Sequence, residues 1–208
     1  MNKLLKPITI LLYIVYILSA VFFVANKEYG SLGLVAISLV GTFILSFINK
    51  QTERLLSKEL YIMLALFIMF SSLLGTCFNF YDINYYDDFL HLWSGIISCI
   101  VAFSIIKYFY TQREISKMSK VFLVIFLFMF SMGVASLWEI GEFLMDTFVG
   151  TTTQAGGLED TMIDMVDALI GTIITIPFIV KNLIYSFKFF ILIIMDLINH
   201  VEFQGLYD

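Results

Sequence analysis

Two stretches of the sequence carry acidic side chains three, four or seven positions apart, a spacing that places them on one face of a helix. A third stretch carries two adjacent aspartates, followed three and four positions later by a histidine, so one of these carboxylates shares a face with the imidazole. The three stretches are Asp87-Asp88-Phe89-Leu90-His91, Glu139-Ile140-Gly141-Glu142-Phe143-Leu144-Met145-Asp146 and Asp160-Thr161-Met162-Ile163-Asp164-Met165-Val166-Asp167.

These side chains, brought together, favour the binding of a divalent cation. Carboxylate oxygens with one imidazole suit Mg²⁺, Mn²⁺, Fe²⁺, Zn²⁺ or Ca²⁺, and helical bundles build such sites from facing helices. The helical rise of about 1.5 Å per residue predicts that His91, Glu142 and Asp164 share one layer. The predicted metal ligands are His91, Glu142, Asp164, Asp88 and Asp160.

Two further carboxylates, Glu139 and Asp167, are expected to form a deeper layer. As spare acids they are the predicted catalytic groups, one of them serving as general base beside a metal that activates water or polarises the substrate. The polar, glycine-bearing connection at 148–158 is typical of a loop that folds over a pocket. The leading hypothesis is a site for a divalent cation, and one function that such a site could serve is that of a metal-dependent enzyme acting on a lipid or cell-envelope substrate.

The same acids are compatible with three other roles. They could carry protons or cations across a bilayer, although no acid near Ile105, Phe126 or Ile174 continues a relay through the other half of the helices. They could form a structural polar network. They could also recognise a cationic peptide or antibiotic, as an immunity or partner protein does, and high salt would then weaken binding.

The chain that positions these residues is suited to lipid. Of its 208 residues, 60% are hydrophobic and 14% are charged, and the mean hydropathy of +0.94 lies outside the range of soluble domains. Long apolar runs without period-two alternation predict helical spans, because backbone groups find no water inside a bilayer. The six predicted spans are Ile8–Val24, Leu32–Ile48, Tyr61–Phe80, Phe89–Tyr108, Val121–Met145 and Met162–Val180.

The predicted fold is an all-α, polytopic transmembrane helical bundle that forms a single integral membrane domain over 1–208. The apolar run Leu183–Ile198, interrupted by Lys188, is either a seventh span or a helix along the membrane interface. The domain divides into three N-terminal helices at 1–80, the helices with the acidic stretches at 81–180, and the tail at 181–208.

The basic residues predict one orientation. Eleven of the twelve Lys and Arg residues precede the first span, lie in the second or fourth connection, or follow the sixth span, and such residues stay in the cytoplasm during insertion. We therefore predict a multi-pass protein of the cell (plasma or bacterial inner) membrane with a cytoplasmic N-terminus. Ten carboxylates then gather at the outer end, named here the acidic pole: Asp82, Asp87, Asp88, Glu139, Glu142, Asp146, Glu159, Asp160, Asp164 and Asp167.

The expected partners follow from this placement. Membrane lipid and a lipid-linked or envelope substrate would reach the acidic pole from the outer leaflet, and no nucleic acid is expected. The sequence leaves the oligomeric state open.

The motifs resemble those of the YjdF-like family of bacterial inner-membrane proteins and, more distantly, VanZ-like proteins. VanZ-like proteins carry Asp-Lys-x-x-His-Phe and a later Asp-x-x-x-Asn-x-x-Gly, but Asp88 and Ala168 stand here in place of the lysine and the asparagine. The resemblance runs from about Tyr81 to Thr175 and implies that the motifs act as one unit. The matching stretches are Tyr86-Asp87-Asp88-Phe89-Leu90-His91, Trp138-Glu139-Ile140-Gly141-Glu142-Phe143, and Thr153-Gln154 followed by Asp160-Thr161-Met162-Ile163-Asp164-Met165-Val166-Asp167-Ala168-Leu169-Ile170-Gly171.

Overall fold

The computed structural model describes residues 5–52, 55–154 and 157–182, and every regular element in these ranges is helical. The predicted all-α class is confirmed. The predicted seventh span or interfacial helix at 183–198 lies outside the described residues. The elements are α1 Leu5–Ala25, α2 Tyr29–Gln51, α3 Lys58–Ile68 with a π-helical continuation at Met69–Cys77, a 3₁₀ turn at Phe80–Asp82, α4 Tyr86–Phe109, α5 Gln112–Ile115, α6 Lys120–Val149 and α7 Leu158–Asn182.

Six of these helices are long and apolar enough to cross a membrane, namely α1, α2, α3 with its continuation, α4, α6 and α7. Each has between 20 and 30 residues, and a hydrocarbon layer about 30 Å thick requires about 20. Large apolar side chains such as Leu18, Phe43 and Leu137 remain exposed on their outer faces, which suits a lipid surrounding. The chain is a multi-pass helical membrane protein.

The first three helices pack around a shared core and satisfy their polar groups internally. Tyr16 and Leu60 are fully buried there, and Ile97 of α4 closes the same core. The hydroxyl of Tyr61 lies 2.7 Å from that of Thr9 and 2.9 Å from that of Ser46. Because lipid offers no hydrogen bonds, such pairs hold neighbouring spans together.

Helices α4 and α7 approach so closely that two glycines are required between them. A Cβ on Gly95 would collide with the carbonyl oxygen of Ala168, and a Cβ on Gly171 would collide with the carbonyl oxygen of Leu92. Small residues of this kind let helix backbones touch inside membranes. The contact fixes the depth and rotation of α7 relative to α4.

Ser131 ties α6 to this pair of helices. Its hydroxyl lies 3.1 Å from the carbonyl oxygen of Gly95 and 2.7 Å from the hydroxyl of Thr172. Thr172 also donates to the carbonyl oxygen of Ala168 at 2.7 Å. Both hydroxyl-bearing side chains are fully buried, so the three helices meet at one hydrogen-bonded point.

The connection from α3 to α4 fixes the first turn of α4. Asn79 and Tyr85 adopt left-handed backbone conformations, with φ of 58° and 64°, which are uncommon for residues other than glycine. The hydroxyl of Tyr86 then donates to the carbonyl oxygen of Phe70 in the π-helical segment at 2.8 Å. This first turn carries the aspartates that precede the histidine.

Candidate metal centre

His91 of α4 lies among carboxylates from three helices. Its Nε2 is 3.4 Å from Oδ1 of Asp87, one turn earlier on the same helix, and 3.7 Å from Oδ1 of Asp164 on α7. On the opposite side of the ring, Nδ1 is 3.8 Å from Oε1 of Glu139 on α6. The fold therefore gathers one imidazole and three acids at the acidic pole.

Several carboxylate oxygens in this cluster are buried without a hydrogen-bond partner among the described residues: both oxygens of Glu139, Oδ2 of Asp164 and Oδ2 of Asp167. Glu139 is 6% exposed and Asp164 only 2%. Within the described ranges, His91 is the one basic side chain at ion-pair distance from them. Because an ionised buried carboxylate costs several kcal/mol unless compensated, the cluster calls for further positive charge.

The cluster offers two sets of ligand atoms that could each hold an ion, with the atoms of each set within 4.8 Å of one another. One set comprises Asp87, His91 and Asp164, and the other comprises Asp88, Asp164 and Asp167. Asp164 belongs to both. The sequence prediction named Asp88, and not Asp87, as a ligand, whereas the structure places Asp88 in one set and Asp87 in the other.

Two of the sequence-predicted ligands lie outside both sets. Glu142 accepts a hydrogen bond from Nε1 of Trp138 at 2.9 Å, and Asp160 is half-buried at the start of α7. Glu139, expected in a deeper layer, is the α6 residue that approaches His91. The depth differs from the prediction because contacts between the helices, such as that of Ser131 on α6 with Gly95 on α4, set the position of α6 along its axis.

Asp146 organises the loop after α6. Its Oδ1 accepts hydrogen bonds from the hydroxyls of Thr151 and Thr153, at 2.6 and 2.7 Å, and Oδ2 accepts one from the backbone N–H of Gln154 at 2.9 Å. The Gln154 amide donates to the Thr161 hydroxyl on α7 at 2.7 Å. The polar side chains of the loop therefore form hydrogen bonds within the protein, and these bonds hold the end of α6 to the start of α7.

Replacing Asp146 with alanine should loosen this loop, because four hydrogen bonds lose their common acceptor. We expect faster hydrogen–deuterium exchange at the amides of Thr153 and Gln154, measured by mass spectrometry. Glu159→Ala, at an exposed acid of the same pole, is the matched control and should leave the exchange unchanged. Equal exchange in all three proteins would contradict the role assigned to Asp146.

A cavity of about 290 Å³ adjoins the cluster and runs along α4 between α3 and α6. Asp87 and His91 line its polar end, and Val101 lies about 15 Å further along the helix axis from His91. The rest of the wall is mostly apolar and includes Leu64, Phe67, Leu90, Ile97, Phe130 and Val134. An elongated apolar group with a polar head matches this shape.

Tyr81, in the connection before α4, also lines the polar end of the cavity. Desolvation raises the pKa of its phenol, and the carboxylates of Asp87 and Glu142 raise that pKa further. The phenol therefore stays protonated at neutral pH and is available as a hydrogen-bond donor beside the acids.

Comparison with known families places the chain among membrane proteins. A family model described as "Predicted membrane protein (DUF2238)" matches residues 8–183. The chain belongs to this family. The match extends from α1 to α7, whereas the motif resemblance covered only the region after Tyr81. The YjdF-like resemblance fits this family loosely, and the VanZ-like resemblance stays a prediction.

A protein of Thermotoga maritima, described as an uncharacterized protein, is 30% identical to this chain over 129 residues. The alignment covers 59% of this chain and 62% of the relative, so less than two thirds of the relative's length is matched. No solved structure matches the chain. These comparisons support the membrane assignment and name no ligand or reaction.

Proposed function

We propose that the protein binds a divalent cation through Asp87, His91 and Asp164, and that it is a metal-dependent enzyme acting on a lipid or cell-envelope substrate. The observation that carries this proposal is the burial of Asp164 and Glu139 with oxygens that accept no hydrogen bond from the described residues. A cation bound here compensates both the charge and the missing hydrogen bonds.

The orientation of the imidazole supports this ligand set. Nε2 of His91 faces the carboxylates of Asp87 and Asp164 and is the nitrogen that would ligate the ion. Nδ1 faces Glu139, and a metal-bound histidine commonly donates its second N–H to a carboxylate that fixes its tautomer. We therefore assign Glu139 as a positioning residue, in place of the general base expected from the sequence.

The ligand chemistry favours a hard or borderline ion such as Mn²⁺, Fe²⁺, Zn²⁺ or Mg²⁺. Three protein ligands leave coordination positions for water or a substrate oxygen, as catalytic sites do. Such an ion supplies Lewis-acid polarisation and an activated water. The protonated phenol of Tyr81 would hydrogen-bond a substrate oxygen at the same end of the cavity.

The cavity along α4 supports a substrate that arrives within the bilayer. Its apolar wall would admit a hydrocarbon chain while the polar head lies at Asp87 and His91. Since lipid tails are as apolar as the wall, little affinity comes from the chain, and recognition falls to the head group. In the proposed orientation the N-terminus is cytoplasmic and the substrate enters from the outer leaflet of the cell membrane.

Ion transport through the protein is less well supported. Beyond the cluster, α4, α6 and α7 are closed by a buried apolar core that includes Cys99, Ala102, Leu127 and Ile176. The neighbouring hydroxyl of Thr172 is already engaged in hydrogen bonds between helices. A bound cation would therefore remain at one end of the bundle.

Elemental analysis of the purified protein tests the proposal directly. We expect at least one divalent ion per chain, and Glu139→Gln should lower the affinity for added Mn²⁺ by about 10- to 100-fold, as loss of a positioning carboxylate typically does. Glu142→Gln is the matched control, because Glu142 lies one turn away on α6 and bonds Trp138 instead. Wild-type protein that neither contains nor binds a divalent ion would refute the proposal.

A further inference from the structure

We propose that the cluster holds two divalent ions, with the Asp164 carboxylate bridging them, and that its ligand is a phosphate-bearing lipid head group. This inference rests on the proposed function, since it adds a second ion to the same site. The second ion would be bound by Asp88, Asp164 and Asp167, whose ligand atoms lie within 4.8 Å of one another.

The bridging position follows from the two oxygens of Asp164. Oδ1 lies 3.7 Å from Nε2 of His91, where the first ion would be bound. Oδ2 is buried and accepts no hydrogen bond from the described residues, and Oδ2 of Asp167 is in the same state. Asp164 is 2% exposed, so its carboxylate has little contact with water.

Helix geometry explains why the ligands divide into two sets. Asp87 and Asp88 are consecutive on α4, so their side chains point about 100° apart around the helix, and Asp87 shares the face of His91. On α7, Asp164 and Asp167 are three residues apart and share a face. Asp164 is within 4.8 Å of ligand atoms of both α4 aspartates and so belongs to both sets.

The charge of the cluster also favours two ions. The cluster contains five carboxylates, which belong to the two ligand sets or lie beside His91: Asp87, Asp88, Glu139, Asp164 and Asp167. With a neutral imidazole, one divalent ion would leave three negative charges uncompensated. Two ions would leave one negative charge uncompensated. The free-energy cost is then far smaller, because unpaired charge is expensive inside a membrane.

A two-ion centre specifies the kind of ligand. Two metal ions about 3.5 to 4 Å apart bridge the oxygens of a phosphoryl group and stabilise its charge. A cluster of acids alone would repel such an anion, and His91 is the one basic side chain at ion-pair distance from these acids in the described ranges. A phosphate attached to a hydrocarbon chain in the cavity along α4 would lie beside Asp87 and His91, the two proposed ligands that line this cavity.

Binding of Mn²⁺ alone to the full-length protein in detergent tests the inference. We expect two Mn²⁺ per chain by equilibrium binding and elemental analysis, and a paramagnetic resonance signal of exchange-coupled Mn²⁺ in place of isolated ions. Asp167→Asn and Asp88→Asn should each reduce the count to one and abolish the coupling. Asp82→Asn, at an exposed acid of the same pole, should retain both ions.

The outcomes separate the two proposals. One Mn²⁺ per wild-type chain, with no coupling, would overturn the second ion and leave the proposed function standing. No Mn²⁺ in the wild type would overturn both. Two ions that persist in Asp167→Asn would refute the ligand assignment, and the wild-type count decides the question even where a variant fails to fold.

Discussion

Saturating Mn²⁺ should stabilise the wild-type protein against thermal unfolding by about 2.7 kcal/mol for one site at 100 times its Kd. The reason is that the native state alone brings Asp87, His91 and Asp164 within ligand distance of one another. Without metal, the unpartnered oxygens of Glu139 and Asp164 destabilise the native state. The measurement is the shift in unfolding temperature with metal and with chelator.

Whether Asp164→Asn is more or less stable than the wild type should depend on whether metal is present. In chelator this variant should unfold at a temperature equal to or above that of the wild type, because a buried uncompensated charge is removed. In saturating Mn²⁺ it should unfold below the wild type, because the shared ligand is lost. Asp82→Asn should follow the wild type in both conditions. If the wild-type protein unfolds at the same temperature in Mn²⁺ and in chelator, the proposed cation site is contradicted.

Gly171→Ala should both destabilise the protein and weaken metal binding, although Gly171 is not a ligand. The added Cβ collides with the carbonyl oxygen of Leu92, and overpacking of this kind typically costs about 1 to 3 kcal/mol. The helices must separate to accommodate it, which moves Asp164 away from His91. We expect a lower unfolding temperature together with a reduced affinity for Mn²⁺.

Gly133→Ala provides the control for this substitution. Gly133 lies on α6, and a Cβ there meets no atom within 4 Å. Alanine in place of an unconstrained helical glycine stabilises a helix by about 1 kcal/mol or less. If Gly171→Ala and Gly133→Ala behave alike in stability and in metal affinity, the close contact of α4 with α7 does not position the site.

The helices could be predicted because the sequence of each segment alone determines that it is helical. Each span is a long apolar run, and lipid forces such a run into a helix whatever its neighbours are. The i, i+4 spacing likewise placed His91 beside an aspartate of its own helix. The motif resemblance included Gly171 and not Gly95, and the role of both glycines as contact points between α4 and α7 required the packed structure.

The choice between Glu139 and Glu142 could not be predicted from the sequence. Both lie on one face of α6, three residues and about 4.5 Å apart along the axis, so either could meet His91. Which one does depends on the depth of α6 relative to α4, and that depth is set by contacts such as Ser131 with Gly95. The spacing of residues in the sequence describes positions within one helix and does not give the depth of one helix relative to another.

From the length of α6 we expect the position of Glu139 to depend on the thickness of the bilayer. Its 30 residues extend about 45 Å, well beyond a hydrocarbon layer of about 30 Å, and a helix of excess length adjusts by tilting as membrane thickness changes. Ser131 hydrogen-bonds α6 to α4 and α7, and Glu139 lies about 12 Å further along α6. A change in tilt of about 5° then moves the Glu139 carboxylate by about 1 Å. His91 and Asp164 lie on the two helices that the glycine contacts hold together, so we expect the distance between Glu139 and His91 to change with membrane thickness.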